Sequence, residues 1–398
     1  MTEKRDHLYT QKVYPSVNTN DLLEFRIPPN PNGQLDLSNV FLHFKTTLKT
    51  PNTNVEYIPQ NFFGSKQFSS VEVRVNGEAV ARRSCANEYF LSSYFQNMVN
   101  YGVDYQQSAL EPIGIFDAYN MTTAGIASQT NGQKEEIKKS RGVKDGHHEM
   151  EIIMPIDSTI FYSNDLLPSN TPMALSFERL NANYSQLLFE DAVIDNVSLE
   201  LSECYLSLPY KKDEEMFHLE RNAIQRPLKV HFDEYSIKRF NVTPKGGTSV
   251  MMSDLISGSL PNKIFWSLQS INSYTGSAKY GSTRFNQNDL RKANLYINGK
   301  EATDFPVSMD EHNVVQPFTK FMENTNQMSN ALCSRTMNMF EFKHHNFILS
   351  STIAPGTTGS LSFEFDFASA LTADLVLIVC CVYDKCMRID HNRNFQIT

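Results

Sequence analysis

Three short patterns recur in the same order in the two halves of this chain, and that ordered recurrence limits its fold more than any other feature. Val40-Phe41-Leu42 returns as Ile264-Phe265-Trp266, 264 − 40 = 224 residues later. Val73-Arg74-Val75-Asn76-Gly77-Glu78 returns as Leu295-Tyr296-Ile297-Asn298-Gly299-Lys300, at 299 − 77 = 222. Leu175-Ser176-Phe177-Glu178 returns as Leu361-Ser362-Phe363-Glu364, at 361 − 175 = 186. The offset falls by 222 − 186 = 36, so the first half carries about 36 extra residues between its Asn-Gly pair and its Leu-Ser-Phe-Glu segment. The polar stretch Ala124 to His148 is the expected place for them, as an exposed loop.

The repeated patterns are those of strands. In Val71–Val75 the valines point to one face and Glu72 and Arg74 to the other. Asn76-Gly77 then supplies the positive φ angles of a tight hairpin. Val40–Phe44 and Val197–Leu201 read as further strands, and the apolar runs Val197–Leu206 and Leu375–Tyr383 close the two halves. The 27 Phe and 17 Tyr, against the single Trp266, suit pleated and half-buried surfaces. Two helices are expected. Ala86–Asn100 places Leu91, Phe95 and Met98 on one face, with Ser84 as cap and Gly102 as stop. Pro317–Gln327 places Phe318, Phe321 and Met322 together. The divisions that follow are an N-terminal arm over 1–20, a first unit over 21–210 with its insertion near 124–148, a linker over 211–226 beginning in the charge run Lys211–Glu215, a second unit over 227–390, and a tail over 391–398.

Composition excludes several functions. The net charge of −8 argues against a nucleic-acid surface, which needs clustered cations. The densest basic run, Lys134, Lys138, Lys139, Arg141 and Lys144, is interrupted by Glu135, Glu136 and Asp145, and reads as a solvated loop. Met1–Asn20 has no apolar export core, and no run of about 18 apolar residues occurs. Without an export signal, the sequons at Asn120, Asn183, Asn196 and Asn241 are treated as coincidental. Cys85, Cys204, Cys333, Cys380, Cys381 and Cys386 form no C-x-x-C pair and read as reduced thiols, mostly in the core. No phosphate-loop, dinucleotide, zinc-protease or nucleophile-elbow motif is present. Lys245-Gly246-Gly247-Thr248 lacks the spacing of a phosphate loop and reads as a turn. The pairs His147-His148 and His344-His345 are the remaining metal-ligand candidates, but adjacent strand residues face opposite ways and do not chelate together. No catalytic, cofactor-binding or metal-binding residue is assigned.

Phe62-Phe63-Gly64-Ser65-Lys66-Gln67-Phe68-Ser69-Ser70, running into Val71–Gly77, resembles the first-jelly-roll region of double jelly-roll major capsid proteins, and most of all the Polinton/Maverick and adintovirus-like group. Leu375–Val382 followed by Arg388–Arg393 resembles that family's last strand and tail. The resemblance implies an all-β fold of two tandem jelly-roll β-sandwiches with a few short helices in loops. It also implies a capsid protein of the adenovirus hexon and tectivirus lineage: a homotrimer of six-fold outline that tiles an icosahedral virion. It carries no enzymatic role and no cofactor. Other expected partners are neighbouring trimers, minor capsid or penton proteins and an internal membrane, with no sequence-specific nucleic-acid binding. The chain is expected to be made inside the host cell and not secreted. The alternative is an intracellular tandem β-sandwich that binds carbohydrate or another ligand at its loop tips.

Overall fold

Alternation along the strands divides each sheet into an inner and an outer face. In Phe41–Lys49 the residues Leu42, Phe44, Thr46 and Leu48 are buried, while those between them keep access to solvent or the sheet surface. In Phe68–Val75, Val71, Val73 and Val75 are buried and Arg74 is exposed. Phe44 meets Phe68 edge-on, with ring centroids 5.8 Å apart, so the two inner faces close on one another. Each such aromatic side chain contributes about 1.5–3 kcal/mol on burial.

The structure is a computed structural model. It describes residues 6–49, 57–60, 62–81, 88–102, 147–163, 165–180, 198–212, 228–243, 247–276, 285–310, 313–328, 337–344, 346–371 and 373–390, with short pieces at 143–144, 187–189, 217–218, 220, 283 and 395–397. Its first half is built on β1 (Asp6–Val13), β2 (Leu22–Ile27), β3 (Phe41–Lys49), β4 (Phe68–Val75), β5 (Glu78–Ala81), β6 (His147–Pro155), β7 (Met173–Arg179) and β8 (Ser198–Lys212). These pair antiparallel in the orders β1-β8-β3-β6 and β2-β7-β4-β5. The second half is built on β9 (Leu228–Val242), β10 (Ser249–Ser259), β11 (Lys263–Ser270), β12 (Leu290–Ile297), β13 (Lys300–Glu301), β14 (Leu349–Thr352), β15 (Thr358–Phe367) and β16 (Leu375–Ile389). Their orders are β9-β16-β11-β14 and β10-β15-β12-β13. Strand for strand, the second half repeats the connectivity of the first. Within each half consecutive strands mostly alternate between the two sheets, the crossing pattern of a jelly roll.

Strand register corrects one of the sequence matches. Both Asn-Gly hairpins have the expected positive φ, at 51° and 87° for Asn76 and Gly77 and 53° and 73° for Asn298 and Gly299, so Val75 and Ile297 are equivalent. Val75 pairs with Met173, whereas Ile297 pairs with Leu361. The true counterpart of Leu175 is therefore Phe363, at 363 − 175 = 188, and the excess in the first half is 222 − 188 = 34 residues. A two-residue slide leaves every side chain on its own face, which is why the pattern match missed it.

Other expectations also change. Residues 6–13, within the N-terminal arm expected over 1–20, are β1 and pair with β8. Lys211 and Lys212, assigned to the linker, end β8. Phe395–Ile397, in the expected tail, pairs with the end of β16. Most of the insertion lies outside the described residues, but Val143–Lys144 and His147–His148 form a hairpin at its end. The described helices are α1 (Glu88–Asn100), α2 (Ile271–Thr275), α3 (Val315–Asn324) and α4 (Met339–His344). Ser84, the expected cap, lies outside the described residues. Pro317 falls in the first turn of α3, where its missing N–H costs nothing.

Candidate functional site: the junction and the two outer faces

α1 is buried from Glu88 through Val99, not along one stripe. The expected apolar face is present, and the remaining positions are covered because the second half stands against them. Tyr94 is the centre of this contact. Its ring lies 5.5 Å from Phe62, 5.4 Å from Phe95 and 4.9 Å from Phe285 of the second half. Its hydroxyl donates to Asn346 Oδ1 at 2.8 Å, also in the second half, and burial holds its pKa well above the ordinary phenol value. Asn100 Nδ2 donates to Tyr235 Oη at 3.1 Å, and the Ile237 amide donates to Glu88 Oε1 at 3.3 Å. Ser93 donates to the Asp157 carboxylate, and Asn97 Nδ2 to the Ser93 carbonyl at 2.7 Å, so these two buried polar groups of the helix find partners.

Glu220 adds a second clasp. Its carboxylate accepts from Gln34 Nε2 at 3.0 Å, the Ser169 amide at 3.0 Å and Ser169 Oγ at 2.6 Å, tying the connecting segment to the first half. Glu220→Ala is expected to cost about 1.5–3 kcal/mol, the range for hydrogen bonds to a charged group. Urea unfolding of the variant measures this, and an unchanged midpoint counts against the clasp.

The segment that carries the family resemblance lies beneath α1. Phe62, Phe63, Lys66 and Phe68 are all buried. Lys66 Nζ donates to Gln60 Oε1 at 2.7 Å and sits 5.1 Å over the Phe90 ring of α1, and burial lowers its pKa well below the ordinary lysine value. In the counterpart of this segment in the second half, Phe285 is buried against Tyr94, while Asn286–Leu290 line a cleft of about 580 Å³ together with Arg291, Asp310, Lys343 and His344. Asn288 and Asp289 both have left-handed backbone there, with φ of 52° and 56°.

The outer faces of the two larger sheets differ in the same way. In the second half, Tyr235 and Ile237 of β9 lie under α1, while further along the same face the rungs Asp233–Asp384 and His231–Cys386 are uncovered. Crowding by neighbouring atoms and then the facing Asp384 raise the Asp233 pKa, although the side chain reaches solvent, and Lys263 partly opposes the rise. A raised carboxylate gives stability that is present below its ordinary value of 3.8 and is lost as the pH rises through the raised value. Asp384→Asn is therefore expected to raise the melting temperature near neutral pH and to flatten its decline above pH 3.8. Thermal melts of both proteins across that range check the sign; a lower neutral melting temperature would oppose it. Asn262 Nδ2 donates to Asp384 at 2.5 Å and can equally face an amide oxygen.

In the first half the corresponding outer face is bare. Tyr205 stacks on His43 at 4.4 Å, Lys12 Nζ lies 4.3 Å over the Tyr205 ring, and the Tyr14 ring is 6.1 Å away. Partial burial, then Lys12, lowers the His43 pKa, with Glu151 acting against them. Lys45 Nζ pairs with Glu203 at 2.8 Å on the same surface.

The residues singled out from sequence do not converge. His147 and His148 begin β6, and their side chains lie outside the described residues. His344 ends α4, a helix and not a strand, with its ring 4.6 Å from Phe340; His345 is outside the described residues. Among the described residues no three His, Cys, Asp or Glu side chains are grouped to hold a metal ion. Cys204, Cys380 and Cys381 are buried free thiols, and burial pushes Cys204 up to about 11 and Cys381 to about 12. Cys386 lies on the surface side, its Sγ 3.9 Å from His231 Nε2, and Cys85 and Cys333 lie outside the described residues. Of the basic run, Lys144 alone is described, in the short hairpin strand. Lys245 and Gly246 are outside the described residues; Gly247 and Thr248 lead into β10 from the β9 side. Sequence reasoning missed the α1 junction and the Tyr14–Tyr205–Lys12 surface, because both are made by residues far apart in the chain.

No family model matches this sequence, and no curated protein sequence matches it. Solved structures do. A chain of the Sputnik virophage superimposes with a TM-score of 0.68 at 11% identity, covering 100% of this chain and 89% of that one. The mavirus major capsid protein gives 0.58 at 11% identity, with coverage of 100% and 92%, and the Faustovirus major capsid protein 0.53 at 10%, with 94% and 90%. The fold is the double jelly roll. At such identities the likeness lies in the double jelly-roll fold alone, and it runs through both sandwiches and the junction between them. The expected all-β architecture of two tandem jelly rolls with a few short helices is thus borne out.

Proposed function

We propose that this chain is a major capsid protein whose double jelly rolls associate as trimers and tile an icosahedral shell. What supports this reading most is that the likeness to capsid chains extends over the full length, junction included, where a shared single sandwich would carry little weight. The physics agrees. Two sandwiches joined through a buried helix make a stiff two-lobed block, and three such blocks in a closed ring present six similar lobes. Contacts in a cyclic trimer are head-to-tail and close after three copies. Interfaces that hold obligate assemblies bury on the order of 2,000–5,000 Å² each. The protein acts as a structural part of the virion, made in the host cell, and meets neighbouring trimers, minor capsid or penton proteins and an inner membrane. It needs no cofactor, performs no catalysis and does not read nucleic-acid sequence.

Light scattering on purified protein tests the reading, with a three-chain mass expected and near-hexagonal particles in negative stain. A species that stays monomeric at every concentration overturns it.

A further inference from the structure

The inference below rests on the capsid reading and assigns the surfaces through which copies meet. Inside the chain, the α1 region of the first sandwich covers the outer face of the second at Tyr235 and Ile237. In a ring of alternating first and second sandwiches, the same contact recurs between chains: the second sandwich of one copy covers the outer face of the first sandwich of the next. Both halves of that second contact lie open here.

The donor side is the helix that follows the second Asn-Gly hairpin. α1 buries every residue but its last, whereas α3 buries only Pro317, Phe321 and Met322 and packs on α4, with Phe318 and Phe342 rings 5.3 Å apart. The receiving side is the outer face of β1 and β8, where the rung Lys12–Ser207 stands as the rung Ile237–Cys380 does in β9 and β16, with Tyr205 beside it under Lys12. Most of the exposed apolar side chains fall on these two surfaces. Five of the eight large apolar residues exposed among the described residues lie there: Tyr14 just beyond β1, and Val315, Met328, Met339 and Phe340 at α3 and α4. Tyr14 is 67% and Phe340 55% exposed, and aromatic residues and methionine are the types that interfaces concentrate.

We propose that Tyr14 and Lys12 of one copy receive the α3–α4 surface around Phe340 of the next copy, repeating between chains the contact that α1 makes with β9 within one. The contact is head-to-tail, so a lesion on either side behaves distinctly. Tyr14→Arg and Phe340→Arg, each alone, are expected to weaken association at least about thirtyfold and leave monomers at concentrations where the unaltered protein is trimeric. Mixed together, the two variants are expected to form a one-to-one pair and nothing larger, because the intact α3–α4 surface of Tyr14→Arg fits the intact face of Phe340→Arg. Sedimentation of each variant and of the mixture gives the masses. The milder pair Tyr14→Ser and Phe340→Ser, checked by thermal melting for an unchanged fold, is expected to give the same pattern. Trimers from either variant alone, or a mixture that stays monomeric, overturn this assignment while leaving the capsid reading intact. An unaltered protein that is itself monomeric overturns the capsid reading, and this assignment with it.

Discussion

Tyr94→Ala is expected to lower the free energy of unfolding by about 3–5 kcal/mol, the range for removing a fully buried aromatic ring. The ring touches Phe62, Phe95 and Phe285, so its loss leaves a cavity bounded by both sandwiches. It also leaves the Asn346 amide oxygen without its hydroxyl donor. Tyr94→Phe removes that hydrogen bond alone and should cost about 1 kcal/mol. Urea unfolding followed by circular dichroism separates the two cases. A loss for Tyr94→Ala no larger than for Tyr94→Phe would mean that the ring is not what joins the halves. Loosening the junction is further expected to split one unfolding transition into two, since each sandwich keeps its own core.

The second large effect concerns the first sandwich. Phe177 of β7 is fully buried, with its ring 5.0 Å from Phe68 and 6.1 Å from Phe25. Phe177→Ala is expected to destabilise by about 3–5 kcal/mol, through lost burial and the cavity left behind. Trp266 makes the measurement informative. It is the sole tryptophan, it is buried in the second sandwich, and it lies 5.2 Å from Phe305 and 5.4 Å from Phe363. Its fluorescence reports on the half that was not altered. If the α1 junction couples the sandwiches, the tryptophan signal moves to lower urea together with the circular dichroism. A tryptophan transition that stays in place would show two independent folding units.

The strands were legible because alternation is a local property. Val71, Val73 and Val75 pointed to one face in the sequence, and all three are buried. The hairpins were legible because Asn-Gly is a local solution to a local backbone demand. The order of the repeats disclosed two like units, yet the Leu-Ser-Phe-Glu match sat two residues out of register, since pattern alone cannot distinguish positions on the same face. The pairing of β1 with β8 is not legible in the sequence, because Asp6–Val13 is an edge strand whose outer face is open and whose polar residues hide it. The junction could not be read at all. Leu91, Phe95 and Met98 gave the inner stripe of α1, but nothing in the helix says that Tyr94 meets Phe285, which depends on how two finished sandwiches stand together. The surface around Tyr14 was invisible for the same reason: Lys12, His43 and Tyr205 come from three strands.

The burial of α1 on all sides also sets a problem of timing for the ribosome. Tyr235 follows Tyr94 by 235 − 94 = 141 residues. At about 5–20 residues per second, the helix waits roughly 7–30 s after its own synthesis before the strand that covers it leaves the exit tunnel. Through that interval the nascent first sandwich displays an uncovered apolar helix, the kind of surface that chaperones hold and that crowded polysomes aggregate. Chains that stall or are cut before residue 228 never acquire the cover, so they should be found with holdases or in the insoluble fraction.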